Sequence, residues 1–261
     1  DLRLHPITVK EAGESFRLGV ALQTGCLPKI LSLALEEQME SARLLLRGYN
    51  TIYIKEEIQA EALVRSLDGF QRFLPIAAQS NAQVIEFMNI GRECSVPANT
   101  VKSYYSILED TLIGRFVWPM GHSERKKARP KFYFFDCGVA RALQGRLSDP
   151  PTPSETGFLF ETWFLHELVC IRDYGLKDDT IAFWRHGRHE VDFVICRSGQ
   201  PRLAFECKSG IHPDDYQSAI EFKRRFPSVP LYFVSYRDAE PRKTERGFEI
   251  MPWKTALEIY R

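Results

Sequence analysis

The chain lacks a C-x-x-C pair, a hydrophobic run long enough to span a bilayer, and an excess of charge of either sign. Its six cysteines, Cys26, Cys94, Cys137, Cys170, Cys196 and Cys207, stand singly. That spacing argues against a structural zinc site and for reduced thiols in a cytoplasmic protein. No stretch approaches the roughly 18 apolar residues of a membrane span, so no membrane partner is expected. No secretory signal pattern is visible either. The net charge is only +1 over 261 residues, so a nucleic-acid partner has to be met by local patches. There is no G-x-S-x-G motif to support serine hydrolysis. There is also no G-x-x-x-x-G-K-[S/T] loop, so no nucleotide site is expected. Internal repeats and low-complexity segments are absent. What is present, 44% hydrophobic and 26% charged residues, is the composition of a globular chain of one to three domains.

Two short segments carry the densest chemistry. Glu190-Val191-Asp192-Phe193-Val194-Ile195 reads as a strand, and so does Leu203-Ala204-Phe205-Glu206-Cys207-Lys208. Arg197-Ser198-Gly199-Gln200 is the turn between them. Side chains alternate on a strand, so Glu206 and Lys208 share one face while Cys207 points away. Asp192, on the neighbouring strand, is expected beside them. Two carboxylates and a lysine on an apolar hairpin are costly to bury unless they are paired or bind a metal.

The rest of the chain divides by pattern into residues 1–60, 61–130 and 131–261. Leu2–Pro6 reads as a short strand, Thr8 to Glu11 as a capping box, and Leu33–Tyr49 as one long helix. Leu63, Leu67, Phe70 and Leu74 form a helical stripe. Helices around Val84–Arg92 and Ala98–Asp110 flank the tight turn Ser95-Val96-Pro97, the pattern of a helix-turn-helix. Val101, Tyr104, Tyr105 and Leu108 make the apolar face of the last helix, leaving Asn99, Lys102, Ser103 and Ser106 outward. Phe116–Trp118 and Lys131–Phe135 are expected as the two strands of a wing. Between them lies the strongest basic cluster, with Arg125, Lys126, Lys127 and Arg129. Such a tip suits phosphates, although basic loops are common on surfaces. Beyond it the order α-β-β-β-α-β is expected: a helix over Thr156–Arg172, strands at Ile181, Asp192 and Glu206, a helix over Asp214–Arg225, and a strand over Val229–Tyr236. A strand at Phe248–Ile250 and a helix near Thr255 close the chain.

An Asp followed by Glu-x-Lys on the next strand resembles the PD-(D/E)XK nuclease fold, although Val191 stands where that motif has proline. Several short motifs extend the likeness, in this order: Gly25-Cys26-Leu27-Pro28, Leu108-Glu109-Asp110-Thr111, Lys131-Phe132-Tyr133-Phe134-Phe135-Asp136-Cys137-Gly138, Gly157-Phe158-Leu159-Phe160-Glu161, Trp184-Arg185, Glu190-Val191-Asp192-Phe193 and Glu206-Cys207-Lys208. Together they resemble the C-terminal half of a large family of prokaryotic AAA-like ATPases. Those proteins end in a domain of unknown function with a restriction-endonuclease-like fold. The resemblance implies an α/β (α+β) chain: a helical lid remnant, a winged helix, and a nuclease-like domain. It implies an ATPase module upstream as partner, and the chain, starting at Asp1, reads as part of a longer protein.

The site implied is Asp192 and Glu206 on Mg²⁺, with Lys208 and the helical acid Glu161 completing a catalytic set. Glu190 and Gln217 are further candidates. Duplex DNA is the implied partner, met by Asn99, Lys102, Ser103, Arg125, Lys126, Lys127 and Arg129. The competing reading is an ion-pair cluster in an inert nuclease-like fold that binds DNA or protein without cutting. His186 and His189 read as surface histidines, and Asp136 as a turn cap.

Overall fold

The computed structural model describes residues 3–49, 67–121, 128–210 and 216–261. The chain forms two compact units: one of residues up to Phe116 with Lys131–Thr152, the other of Val117–Pro130 with Pro153–Arg261. The α and β elements mix as expected, but the units divide differently. The expected break near residue 60 lies outside the described residues. Lys131–Thr152, assigned from sequence to the C-terminal domain, belongs to the first unit. The cause is apolar packing: Phe132, Phe134, Val139, Ala140 and Leu147 share one buried cluster with Ile30, Leu46, Phe73 and Tyr105.

In the first unit, α1 (Val9–Ala12), α2 (Leu18–Thr24), α3 (Pro28–Leu35) and α4 (Met39–Gly48) come first. Thr8 caps α1 through the expected box with Glu11. Residues 3–6 form no strand; Pro6 has no N–H to give to a ladder, and Ile7 N–H bonds instead to the Cys26 carbonyl. The long helix expected over Leu33–Tyr49 is two helices. Glu37 adopts a left-handed conformation (φ 63°). The N–H groups of Glu37 and Gln38 turn back to the Ala34 and Leu33 carbonyls, a Schellman ending that apolar spacing alone does not reveal.

Next come α5 (Leu67–Gln79), α6 (Phe87–Cys94), α7 (Ala98–Asp110), β1 (Gly114–Val117), β2 (Lys131–Phe134) and α8 (Cys137–Leu143). Ser95, also left-handed, ends α6 in the same way, and Pro97 starts α7. The helix-turn-helix is present, its first helix starting at Phe87 rather than near Val84, and the two-stranded sheet β1–β2 takes in Phe116–Val117 and Lys131–Phe134 of the expected wing strands. Edge-to-face aromatic contacts join them: Tyr105 packs on Phe73, Phe87 and Phe132. The Tyr105 hydroxyl is buried and finds no hydrogen-bond partner among the described residues. Removing a buried unpaired hydroxyl relieves its desolvation cost. Tyr105→Phe is accordingly expected to stabilise the unit by about 1 kcal/mol, read as a higher urea midpoint; a lower midpoint would show that the hydroxyl is satisfied.

The motif around Asp136 locks this unit. Its carboxylate is buried and accepts the N–H groups of Cys26 (2.6 Å) and Val139 (3.0 Å), capping α8 as expected. A Cβ on Gly25, which sits at φ +81°, would fall 1.9 Å from Asp136 Oδ1. Glycine is thus required where α2 meets the cap. Burial pushes the Asp136 carboxyl up to about 6, against the N–H groups of Cys26 and Val139 that pull it down. A raised acid means that the fold binds the proton more tightly than the unfolded chain does. Stability from this group is full below its ordinary value near 3.8 and falls as pH rises toward 6. Relative to Asp136→Asn, the wild type is expected to lose about 2–3 kcal/mol between pH 4 and 6.5 in urea titrations. Parallel pH profiles would contradict this.

The second unit holds α9 (Pro153–Tyr174), β3 (Asp179–His186), β4 (His189–Arg197), β5 (Gln200–Lys208), α10 (Tyr216–Arg225), β6 (Leu231–Ser235), β7 (Arg242–Lys243), β8 (Glu249–Pro252) and α11 (Trp253–Tyr260). The expected order α-β-β-β-α-β is present from α9 to β6. One six-stranded sheet runs β3-β4-β5-β6-β8-β7. β3–β4–β5 are antiparallel, β5–β6–β8 are parallel, and β7 returns antiparallel to β8. Trp118, expected to end a wing strand, instead pairs with β3 along with Met120: Met120 N–H bonds to the Phe183 carbonyl at 2.7 Å and Phe183 N–H to that of Trp118 at 3.1 Å. Phe164 of α9 packs on Phe193 and Phe205 on one face. On the other, Ala219 and Phe222 of α10 join Val194, Ala204, Phe233 and Ile250.

Candidate functional site

β4 and β5 are joined by Ser198-Gly199, both at positive φ (52° and 77°), the geometry of a two-residue hairpin turn. The turn pairs Arg197 with Gln200 and Cys196 with Pro201; a one-residue register shift between Cys196 and Ile195 then pairs Ile195 with Leu203, Val194 with Ala204 and Phe193 with Phe205. Asp192 and Glu206 follow immediately. There the side chains take the place of ladder carbonyls. Asp192 N–H donates to Glu206 Oε2 at 3.2 Å, and Cys207 N–H donates to Asp192 Oδ2 at 2.9 Å. Each carboxylate is thereby held by a backbone N–H of the opposite strand. Lys208 Nζ lies 3.0 Å from Glu206 Oε1. Asp192 and Glu206 are buried and Lys208 is half-buried, so the pair opens outward through the ammonium.

The structure thus brings together the three residues expected on the hairpin. Glu161 is half-buried on α9. The buried Cys207 thiol is pushed well up, first by burial and then by the charges of Asp192, Glu161 and Glu206. All three acids therefore act on one region of the sheet. Among the described residues, however, no three His, Cys, Asp or Glu side chains gather into a group able to hold a metal ion. The donor set remains two hard carboxylates, which suits Mg²⁺, an ion usually held by one or two carboxylates with water and phosphate.

Other expected residues are less central. Glu190 is half-buried and its N–H bonds to Ser218 Oγ at 3.2 Å. Gln217 is exposed on α10, His186 is exposed at the β3–β4 turn, and His189 is half-buried there. Asn99, Lys102 and Ser103 share the exposed face of α7. Ser103 Oγ donates to the Asn99 carbonyl at 3.1 Å, and Lys102 Nζ lies 5.5 Å from the centre of the Phe87 ring. Arg129 is exposed, while Arg125, Lys126 and Lys127 lie outside the described residues. Asp179 is among the buried carboxylates that were not anticipated. It accepts Arg197 Nε at 2.8 Å and the Tyr260 hydroxyl at 3.3 Å. The two ends of the β3–β4 hairpin make this a structural pair, as their register Asp179↔Arg197 requires.

Comparison with known proteins gives two matches by family model. Residues 17–149 match a domain of unknown function, DUF8612, and residues 156–256 match another, DUF4143. The latter is often found at the C-terminus of AAA-like ATPases. No curated protein and no solved structure matches the chain. The interval between the two models contains the Thr152–Pro153 division of the units, independently of the packing argument. Since the first model spans just over half of its length, the chain belongs to the DUF8612 family, and its second part matches the DUF4143 model.

Proposed function

We propose that the chain is the C-terminal region of an AAA-like ATPase, that it binds duplex DNA, and that its second unit is a Mg²⁺-dependent DNA endonuclease. The observation that carries the reading is the meeting of Asp192, Glu206 and Lys208 at the end of the β4–β5 ladder. The element order from α9 to β6, which PD-(D/E)XK nucleases share, supports it. Asp192 and Glu206 would hold the ion. Bound there, Mg²⁺ supplies a Lewis acid for the phosphate and a lowered pKa for water. The chain's own groups have separate tasks. The N–H groups of Asp192 and Cys207 fix the carboxylates before substrate arrives. The ammonium of Lys208 stands ready for charge that develops on the phosphate. Asn99, Lys102 and Ser103 offer the DNA backbone hydrogen bonds and one cation.

One observation favours a second reading, a non-catalytic DNA- or protein-binding regulator. The carboxylates already accept two N–H groups and a lysine, which is all a structural cluster needs. Incubation of supercoiled plasmid with the protein separates the two. Nicking with Mg²⁺ and none with EDTA is expected. Intact plasmid in both, with ATP added to the ATPase-bearing protein as well, would favour the regulator.

A further inference from the structure

On the strand beside Glu206 the sheet carries an aromatic and cationic platform that the hydrolytic reading does not use. Glu206 is registered with Phe233 across the parallel β5–β6 pair, so their side chains lie on one face about 4.8 Å apart at the backbone. Over Phe233 stand two more rings. Tyr216, at the start of α10, meets it edge-on at 5.7 Å, and Phe248, just before β8, does so at 5.7 Å. Tyr216 and Phe248 are themselves parallel, with planes 4° apart and centroids at 6.1 Å. The Arg246 guanidinium lies 5.6 Å from the centre of the Tyr216 ring. Both rings are half-buried and Arg246 is exposed.

A tight turn holds Arg246 there: Gly247 N–H bonds to the Thr244 carbonyl and Thr244 N–H to that of Phe248. Its guanidinium meets no carboxylate among the described residues, whereas the neighbouring Arg242 and Lys243 are paired with Asp238 and Glu249. Parallel aromatic faces topped by an exposed guanidinium are what an unpaired nucleobase stacks on while its phosphate meets the cation. To the fold alone an exposed arginine over a ring contributes only a small cation–π attraction.

We propose that Tyr216, Phe248 and Arg246 form a stacking site for an unpaired nucleobase of single-stranded DNA, built over Phe233 on the strand next to Glu206. The site deepens the endonuclease reading: it would select substrates whose strand is frayed or single next to the phosphate being cut. Its existence does not depend on cleavage.

The test uses the whole chain and a single-stranded oligodeoxythymidylate of twenty nucleotides bearing one 2-aminopurine, without metal, alongside a blunt duplex. Wild type is expected to bind the single strand and to change the 2-aminopurine fluorescence. Tyr216→Ala and Arg246→Ala should each weaken that binding about tenfold and remove most of the fluorescence change. Tyr216→Trp should retain both, and duplex affinity should stay unchanged. The measurement contains no metal, so a protein that never cuts leaves this outcome readable. Circular dichroism melting checks that Tyr216→Ala is folded, and exposed Arg246 supplies a variant that leaves the ring packing alone. Absence of single-strand binding by wild type, or unchanged affinity and fluorescence in Arg246→Ala and folded Tyr216→Ala, would overturn the site while leaving the cleavage assay to judge the endonuclease separately.

Discussion

Asp192→Ala is expected to reduce Mg²⁺-dependent plasmid nicking by at least about a hundredfold, and Lys208→Ala by a similar factor, with duplex affinity retained. The two losses have different causes. Asp192 is one of the two carboxylates proposed to hold the ion, and its Oδ2 also holds the N–H of Cys207, the middle residue of the Glu-x-Lys segment. Lys208 provides a cation bonded to Glu206. Groups that act on charge appearing in the transition state change rate more than binding, so the drop belongs in kcat. In an inert cluster the same substitutions move stability instead: Lys208→Ala leaves buried acids uncompensated and lowers the melting temperature. A folded Lys208→Ala variant that nicks like wild type would remove the lysine from the mechanism.

Duplex affinity is expected to fall steeply with salt, by about a thousandfold between 50 and 200 mM if six phosphates are neutralised. The basis is a recognition-type helix whose outward face, Asn99, Lys102 and Ser103, is polar and exposed, together with the basic run Arg125, Lys126, Lys127 and Arg129. Reversing the charge of Lys126 and Lys127 should weaken binding to all sequences alike and shorten the salt slope by about two. Binding indifferent to salt, or unchanged by the reversals, would remove these residues from the interface.

Local chemistry made the hairpin site legible. The period-two alternation of Phe205-Glu206-Cys207-Lys208 puts Glu206 and Lys208 on one face and the turn Ser198-Gly199 makes the two strands neighbours, whereas the one-residue register shift between Cys196 and Ile195 was not legible. The helix-turn-helix was legible for a similar reason, since Val101, Tyr104, Tyr105 and Leu108 repeat at helical spacing and are buried. Non-local choices were not. Nothing near Lys131 reveals that Phe132 and Phe134 pack against Tyr105 and Phe73 rather than against the later sheet. Nothing in Trp118–Met120 reveals its pairing with β3. The break at Glu37 hides inside continuous apolar spacing because a Schellman ending needs only one left-handed residue. The stacking platform was invisible because Tyr216, Phe233 and Phe248 come from three elements joined only by the sheet order.

The central claim is that Asp192 and Glu206 together hold a divalent ion. Titration of Mn²⁺, followed by the loss of its free-ion electron paramagnetic resonance signal, tests it without any substrate. The account predicts one ion bound per wild-type chain, released by excess Mg²⁺, and no binding by Asp192→Ala of intact fold. Wild type that leaves the Mn²⁺ signal untouched, or Asp192→Ala that binds as wild type does, would contradict it.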